Sequence, residues 1–297
     1  MSRRQPARRP ATKSRSGAGA GKLLVTTRNA RFQQWESFLG NRTKRSRAGR
    51  FLIQGVRPIN VALEHDWPIE ALLHRVGGPQ LSEWARERTE LGGVEHVGVS
   101  AGLMAELGEK DGTPPELIAV AKTRHPRLRD LRPGEDPLVV VFDRPSSPGN
   151  LGTLIRTANA FGADAVVVVG HGADPYDPQS VRASTGSLFA LPVITVSSVE
   201  EVLAMRDSLG ENGTELTVVG TDEDGSVVID DHDFTSGTLL VVGNETRGMS
   251  AAWRQACDVV VNIPMGGAAS SLGAPSAGAV GLYEIARQRR RGAVRAT

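Results

Sequence analysis

The chain has 297 residues, a near-average composition and a formal net charge of +2. No apolar run is long enough to cross a bilayer, and the basic N-terminus lacks the apolar stretch of a secretory signal. A single cysteine, Cys257, excludes an internal disulfide. These features exclude membrane-spanning and disulfide-rich proteins, predict a cytoplasmic location, and allow two domains with flanking tails.

Charge is distributed unevenly along the chain. Residues 1–50 carry a net +13, residues 287–297 add +5, and residues 51–286 carry the balancing −16. Clustered Lys and Arg gain free energy by releasing counterions from phosphates, so this distribution favours a nucleic acid partner. Residues 1–22 are rich in Arg, Pro, Ala, Ser and Gly and predict a disordered basic tail. The alternative is that this tail only improves solubility.

A small α/β domain is predicted over residues 23–130. Apolar spacing and runs indicate helices at 31–39 and 59–67 and strands at 51–53, 71–73 and 117–120. Ser100 is expected to open a further helix. Residues 131–137, with two prolines and one glycine, predict a linker.

The remainder alternates strands and helices and predicts a second α/β domain over residues 138–291, followed by a tail at 292–297. Its last helix is expected at 276–291 and an earlier one at 199–209. The predicted strands are 138–142, 165–169, 193–196, 216–219, 239–242 and 259–263. Because these strands are apolar throughout, they are expected to be buried on both faces, as in a parallel sheet.

In open parallel sheets, ligands bind beyond the carboxyl ends of the strands. The first segment at such a position is residues 150–156, Asn-Leu-Gly-Thr-Leu-Ile-Arg. It lies on a predicted helix with an apolar stripe, and Arg156 falls on the opposite side. Gly152, one turn earlier, is expected to leave open space beside the Arg156 guanidinium. Such an arginine suits a phosphate or a partner subunit.

Two further segments occupy equivalent positions. Residues 243–248, Gly-Asn-Glu-Thr-Arg-Gly, place the carboxylate of Glu245 just beyond a strand. Residues 263–272 begin Ile-Pro-Met-Gly-Gly and end Ser-Ser-Leu. This small, glycine-rich loop suits close approach of the backbone to a planar ligand, with Ile263 and Leu272 against its two faces.

In this order, the three segments resemble the motifs of the SpoU/TrmH family of RNA ribose 2′-O-methyltransferases. The resemblance implies a deep trefoil knot of the SPOUT type that binds S-adenosylmethionine, a homodimer packed through that knot, and a preceding substrate-binding domain. Residues 28–35, 176–178 and 184–189 are most similar to family members that methylate a uridine ribose in 23S rRNA and give antibiotic resistance. A tRNA ribose is the minor alternative substrate.

The resemblance also implies residue roles. The implied cofactor contacts are Gly243, Ile263 and Leu272. The implied catalytic cluster is Asn150, Arg156, Glu245 and Ser271. Arg156 is expected to lie against the phosphate beside the target ribose. Since arginine essentially never deprotonates, positioning and charge stabilisation are favoured over base catalysis. The other three are expected to hold the site by hydrogen bonds and to orient the ribose or the closing loop.

One position departs from the family pattern. Where the family has Ser-Leu-Asn, this chain has Ser271-Leu272-Gly273. Loss of one partner from a buried polar network costs about 1–3 kcal/mol, which at a transition state is a rate loss of roughly ten to a few hundred fold. The competing hypothesis is therefore an RNA-binding protein of this fold with weak or lost catalysis.

Other chemistries have little support in the sequence. Residues 98–102, Gly-Val-Ser-Ala-Gly, match a hydrolase nucleophile elbow, with His171 and His232 as candidate bases. This short pattern occurs often by chance, and Ser100 suits a helix N-cap. No dinucleotide-binding or Walker sequence is present, and the six histidines lack metal-ligand spacing, so no metal is expected.

Overall fold

The computed structural model describes residues 23–108, 113–269 and 271–295; the predicted tail at residues 1–22 lies outside them. The strands of the N-terminal domain are β1 (Leu23–Val25), β2 (Arg50–Gln54), β3 (Ile69–Val76), β4 (Glu95–Ser100) and β5 (Leu117–Lys122). Its helices are α1 (Ala30–Gly40), α2 (Arg42–Ala48), α3 (Val56–Glu64), α4 (Glu83–Arg88) and α5 (Ala101–Leu107).

The N-terminal strands form one mixed sheet in the order β1-β4-β3-β5-β2. β4 is parallel to β1 and β3, whereas β5 is antiparallel to β3 and β2. α1 begins at Asn29, whose side chain accepts a hydrogen bond from the Phe32 amide. The helix buries Phe32, Trp35 and Phe38 against this sheet. The predicted α/β character of the domain is confirmed.

The C-terminal domain follows a short 3₁₀ turn at Leu128–Asp130, and residues 131–137 form no helix or strand. Its strands are β6 (Leu138–Asp143), β7 (Ala165–Val169), β8 (Val193–Val196), β9 (Thr217–Thr221), β10 (Val227–Val228), β11 (Thr238–Val242) and β12 (Val259–Asn262). Its helices are α6 (Pro148–Ala160), α7 (Pro178–Ser184), α8 (Ser187–Ala190), α9 (Val199–Glu211), α10 (Ala251–Ala256) and α11 (Ala274–Arg295).

The C-terminal strands pair in the order β10-β12-β9-β11-β6-β7-β8, and every pair is parallel. Each residue of β6, β7 and β11 is buried, which explains why all but the terminal Asp143 and Thr238 are apolar. The predicted parallel sheet is confirmed. β10 was not predicted because two residues are too few to show a pattern.

The last helix is longer than predicted, since α11 starts two residues earlier and continues to Arg295. Pro275 occupies its second position, where a missing N–H costs no intrahelical hydrogen bond. Within the described parts of the chain, no helix is both long and apolar enough to span a bilayer.

Close packing of α6 against α7 corrects one expectation. A Cβ at Gly152 would lie 2.3 Å from the Ser180 carbonyl oxygen and 2.8 Å from the Ala183 methyl. Gly152 is therefore buried in a helix–helix contact and leaves no open space beside Arg156. Gly152 does lie one helical turn before Arg156, but Gly152 packs on α7 whereas the Arg156 side chain is exposed.

The two domains dock through a buried arginine and a cluster of aromatic rings. Arg45 is 2% exposed, and its guanidinium donates to Asp174 at 2.7 Å and to Asp177 at 3.0 Å. A buried charge is tolerated when it is paired in this way. The cluster joins Phe51 to Tyr176, with ring centroids 4.7 Å apart, and Trp67 to Phe189, 5.1 Å apart.

Replacing Gly152 with Ala tests the α6–α7 contact. The added methyl meets backbone, which cannot rotate away, so we expect a loss of about 1–3 kcal/mol in the free energy of unfolding. Gly149→Ala is the matched control on the same helix, because its nearest neighbour would be the Ser147 hydroxyl at 3.7 Å. Urea unfolding followed by circular dichroism measures both variants, and equal stabilities would contradict the close contact.

Candidate active site

A cavity of about 290 Å³ lies at the carboxyl ends of β9, β11 and β12. It is the position at which a parallel sheet binds ligands. Five of the residues predicted from sequence line it: Gly243, Glu245, Ile263, Ser271 and Leu272. The second and third sequence segments therefore meet at one site.

Gly243 allows the chain to turn tightly at the cavity wall. A Cβ at this position would lie 2.5 Å from the Gly248 carbonyl carbon and the Met249 amide nitrogen. The turn is closed by two backbone hydrogen bonds of 3.0 Å between Asn244 and Gly248. The Asn244 side chain accepts from the Thr246 amide at 3.0 Å. Gly243 thus has a packing role in addition to its place in the cavity wall.

Glu245 binds the N-terminal turn of α6. One carboxylate oxygen accepts from the backbone N–H and hydroxyl of Ser146, at 2.9 and 2.8 Å. The other accepts from the backbone N–H of Ser147 at 3.1 Å and from the side-chain amide of Asn150 at 3.2 Å. The structure therefore brings Asn150 and Glu245 together. The carboxylate also lies where the helix dipole favours negative charge.

The protonation state of Glu245 follows from these contacts. Burial by itself raises the pKa of the carboxyl group, but hydrogen bonds from Ser146 and Ser147 outweigh it and lower the pKa below its ordinary value. Glu245 is therefore a carboxylate at neutral pH. It acts as a hydrogen-bond acceptor and not as a proton donor.

A second link joins the same two segments. Asp143, 1% exposed at the end of β6, accepts from the Arg144 guanidinium at 2.9 Å and from the Ser250 N–H at 2.8 Å. Arg144 has φ +49°, a left-handed conformation that is uncommon outside glycine. The backbone carbonyl of Arg144 accepts from the side-chain amide of Asn244 at 2.6 Å. Sequence reasoning missed this pair, although both residues directly follow a predicted strand.

Arg156 lies apart from the other predicted catalytic residues. It is exposed on α6, does not line the cavity, and forms no hydrogen bond or ion pair with any described residue. Arg156 lies six residues after Asn150 on α6, which is a rise of about 9 Å along the helix axis. Within one chain, Asn150 is hydrogen-bonded to Glu245, and both Glu245 and Ser271 line the cavity. Arg156 lies outside it.

Apolar and charged side chains both line the cavity. Met265 and Leu272 are each 38% exposed, and with Ile263 they offer an apolar surface for a planar group. Asp222, which directly follows β9, also lines the cavity and pairs with Arg254 at 2.7 Å. Sequence reasoning missed this pair, although a carboxylate just past a strand end was a detectable signal.

The hydrolase alternative receives no support. Ser100 is the last residue of β4 and the N-cap of α5, where its side chain makes no capping hydrogen bond. His171 and His232 belong to the other domain, and no hydrogen bond between described residues joins either to Ser100.

Comparison with known proteins identifies the family. Residues 137–283 match the SpoU rRNA Methylase family, and residues 29–119 match the SpoU L30e-like domain. A 23S rRNA (uridine(2479)-2′-O)-methyltransferase from Streptomyces viridochromogenes is 52% identical over 265 residues, 89% of this chain and 92% of the relative. The chain belongs to the SpoU rRNA methylase family. The membership predicted from the three motifs is confirmed.

Solved structures agree with this family and confirm its α/β fold. The SpoU methyltransferase AviRb from Streptomyces viridochromogenes, in complex with AdoMet, superimposes with a TM-score of 0.85 at 52% identity, covering 89% of this chain and 99% of AviRb. An AdoMet-bound rRNA methyltransferase from Sinorhizobium meliloti gives 0.77 at 28% identity, covering 89% of this chain and 97% of that one.

Glu245→Gln tests the link between the second segment and α6. The amide of Gln cannot accept all four hydrogen bonds, so we expect a loss of about 1–3 kcal/mol in stability at neutral pH. Because the folded pKa is lowered, the advantage of wild type exists above the ordinary glutamate pKa of about 4.3 and disappears as pH falls through the folded value.

Urea unfolding of both proteins at neutral and acid pH measures this difference. Glu223→Gln is the control, because Glu223 is an exposed carboxylate in the same cavity wall. A stability difference between wild type and Glu245→Gln that does not shrink in acid would contradict the proposed contact.

Proposed function

We propose that this chain is an S-adenosylmethionine-dependent methyltransferase that modifies a ribose 2′-hydroxyl in 23S rRNA. The observation that carries this proposal is 52% identity, over 89% of the chain, to a 23S rRNA uridine 2′-O-methyltransferase. The same observation favours rRNA over tRNA. We further propose that the protein acts in the cytoplasm as a homodimer.

The cavity residues fit the cofactor. S-adenosylmethionine supplies a methyl group on a positively charged sulfonium and carries a planar adenine. Ile263 and Leu272 offer apolar surface to the adenine, and the tight turn at Gly243 brings backbone groups to the cavity wall. We expect the loops that bear these residues to form the trefoil knot implied by the motifs.

The dimer would complete the site with Arg156. α11 exposes Val280 and Tyr283, at 36% and 51% of their surface, and the Tyr283 ring lies 6.2 Å from that of Phe161. Exposed apolar side chains grouped in this way favour association. A second copy packed on α6 and α11 would bring its Arg156, which lacks a partner among the described residues, to this chain's cavity.

The residues then divide the work as follows. Arg156 binds the phosphate beside the target ribose and stabilises negative charge as the 2′-hydroxyl loses its proton to water. Arg156 stays protonated throughout. Glu245 and Asn150 hold the loop after β11 against α6, and the Ser271 hydroxyl orients the ribose. A methyl group on such a ribose in a drug-binding region of 23S rRNA would give antibiotic resistance.

The reaction and the role of Arg156 are tested together. Tritium from labelled S-adenosylmethionine should appear at one alkali-resistant 2′-position of deproteinised 23S rRNA fragments. Arg156→Ala should lower transfer at least a hundredfold, about 3 kcal/mol in activation free energy, with little change in cofactor affinity. Arg206→Ala, which removes equal charge from α9, is the control. Full activity of Arg156→Ala would contradict the assigned role.

The competing function, RNA binding with weak or lost catalysis, is favoured by Gly273. Its carbonyl accepts from the Ser276 and Ala277 amides at 2.8 and 3.0 Å, so Gly273 is the N-cap of α11. The asparagine of the family motif would therefore cap this helix beside Ser271. No methyl transfer with cofactor still bound would support this alternative, and no cofactor binding would contradict both functions.

Gly273→Asn tests whether the missing amide limits turnover. The new side chain fits, since no heavy atom of the described residues lies within 4 Å of a Cβ at this position and the backbone φ of Gly273 is not positive. We expect single-turnover methyl transfer to rise about tenfold or more. Gly273→Ala, which lacks the amide, should not show the rise. If Gly273→Asn raised the melting temperature without a faster reaction, the amide would only cap the helix.

A further inference from the structure

A cationic site lies where the two domains meet. A cavity of about 220 Å³ there is lined by residues that include Arg42, Arg124 and His125. Both segments that supply them are basic: α2 contains four Lys/Arg and no acid, and residues 122–132 contain five Lys/Arg and one acid. We call Arg42, Arg124 and His125 the junction site.

The two arginines of the junction site are held in place without losing their charge. Arg42 donates to the Gly172 carbonyl at 2.7 Å, and Arg124 donates to the Asp66 carbonyl at 2.6 Å. The Arg124 guanidinium also lies 4.4 Å from the centroid of the Trp67 ring. Neither arginine forms an ion pair with any residue that the structure describes. Both are therefore ordered, uncompensated cations with free N–H groups.

The nearby carboxylate does not neutralise them. Asp174 lines the same cavity, but its carboxylate accepts two hydrogen bonds from the buried Arg45 and one from the Tyr176 amide. The hydroxyl of Thr123 and the ring of His125, 3.0 Å apart, add further polar groups to the cavity. The site thus offers more positive charge than its own residues compensate, which suits a phosphate.

The junction site is connected to the candidate active site through one loop. Gly172, which accepts from Arg42, packs so closely on Pro145 that a Cβ there would lie 2.8 Å from the proline ring. The next residue, Ala173, donates to the Pro145 carbonyl at 2.7 Å. Pro145 precedes Ser146, which binds Glu245. The junction site is therefore linked by direct contacts to the segment that holds Glu245.

We propose that the junction site binds the phosphodiester backbone of the RNA substrate and so positions the RNA across both domains. This proposal rests on the proposed function, because it assigns a place to that function's substrate. The recognition is of backbone charge and not of base sequence.

The test measures how RNA binding depends on salt. Filter binding measures the affinity for a deproteinised 23S rRNA fragment at several salt concentrations. It compares full-length wild type with the double variant Arg42→Gln and Arg124→Gln. Loss of two phosphate contacts should reduce the slope of log K against log salt by about 1.4–1.8. S-adenosylmethionine affinity, measured by calorimetry, should not change.

Two controls separate charge from folding. Arg42→Lys with Arg124→Lys retains the charge and should retain most of the slope; a loss equal to that of the Gln variant would overturn the proposal. Arg86→Gln removes an exposed arginine from α4, between Glu83 and Glu87, and should leave the slope unchanged. A slope equally reduced by Arg86→Gln would also overturn it.

The two proposals fail in different ways. Methyl transfer by wild type with an unchanged slope in the double Gln variant overturns the junction site alone. Absence of both methyl transfer and salt-dependent RNA binding by wild type overturns the proposed function and the junction site with it. Competition by inorganic phosphate without a change in the RNA slope would reduce the site to a small-anion site and overturn its role in RNA positioning.

Discussion

The carboxylate of Glu245 at the N-terminus of α6 is the contact on which the site depends. It satisfies N–H groups that a helix start leaves without intrahelical partners, and it joins segments 99 residues apart in sequence. The loop after β11 and the segment before α6 follow different strands, and this contact, together with the hydrogen bonds of Asp143 and Arg144, fixes one against the other. A neutral residue here would leave backbone donors without an acceptor in a half-buried place.

α6 also transmits the position of the N-terminal domain. Its Gly152 face packs on α7, and α7 follows Asp177, one of the two carboxylates that bind Arg45. The first sequence segment, the interdomain ion pairs and the junction site are therefore linked by direct contacts. Such a rigid arrangement holds an RNA-binding surface at a fixed distance from the chemistry, which lowers the entropy cost of aligning the ribose.

Much of this structure was predictable, and the exceptions have physical reasons. The strand at 165–169 was predicted residue for residue because a strand buried on both faces must be apolar throughout. The family resemblance placed Asn150 and Glu245 in one cluster, but their direct hydrogen bond was not predicted. Gly152 was misjudged because a glycine permits either open space or close packing, and only the neighbouring helix decides. The pairing of Asp222 with Arg254 depends on tertiary contact, which periodicity does not report.

The docking of the two domains restricts how this protein can be rebuilt. The N-terminal domain carries Arg45 and two aromatic rings whose partners in the other domain lie between residues 174 and 189. Grafted onto a methyltransferase that lacks those partners, it would expose the rings and bury an unpaired cation. A chimera made to redirect substrate choice must therefore transplant residues 174–189 together with the N-terminal domain. The N-terminal domain and residues 174–189 thus have to be exchanged together, although the sequence suggests two separate domains.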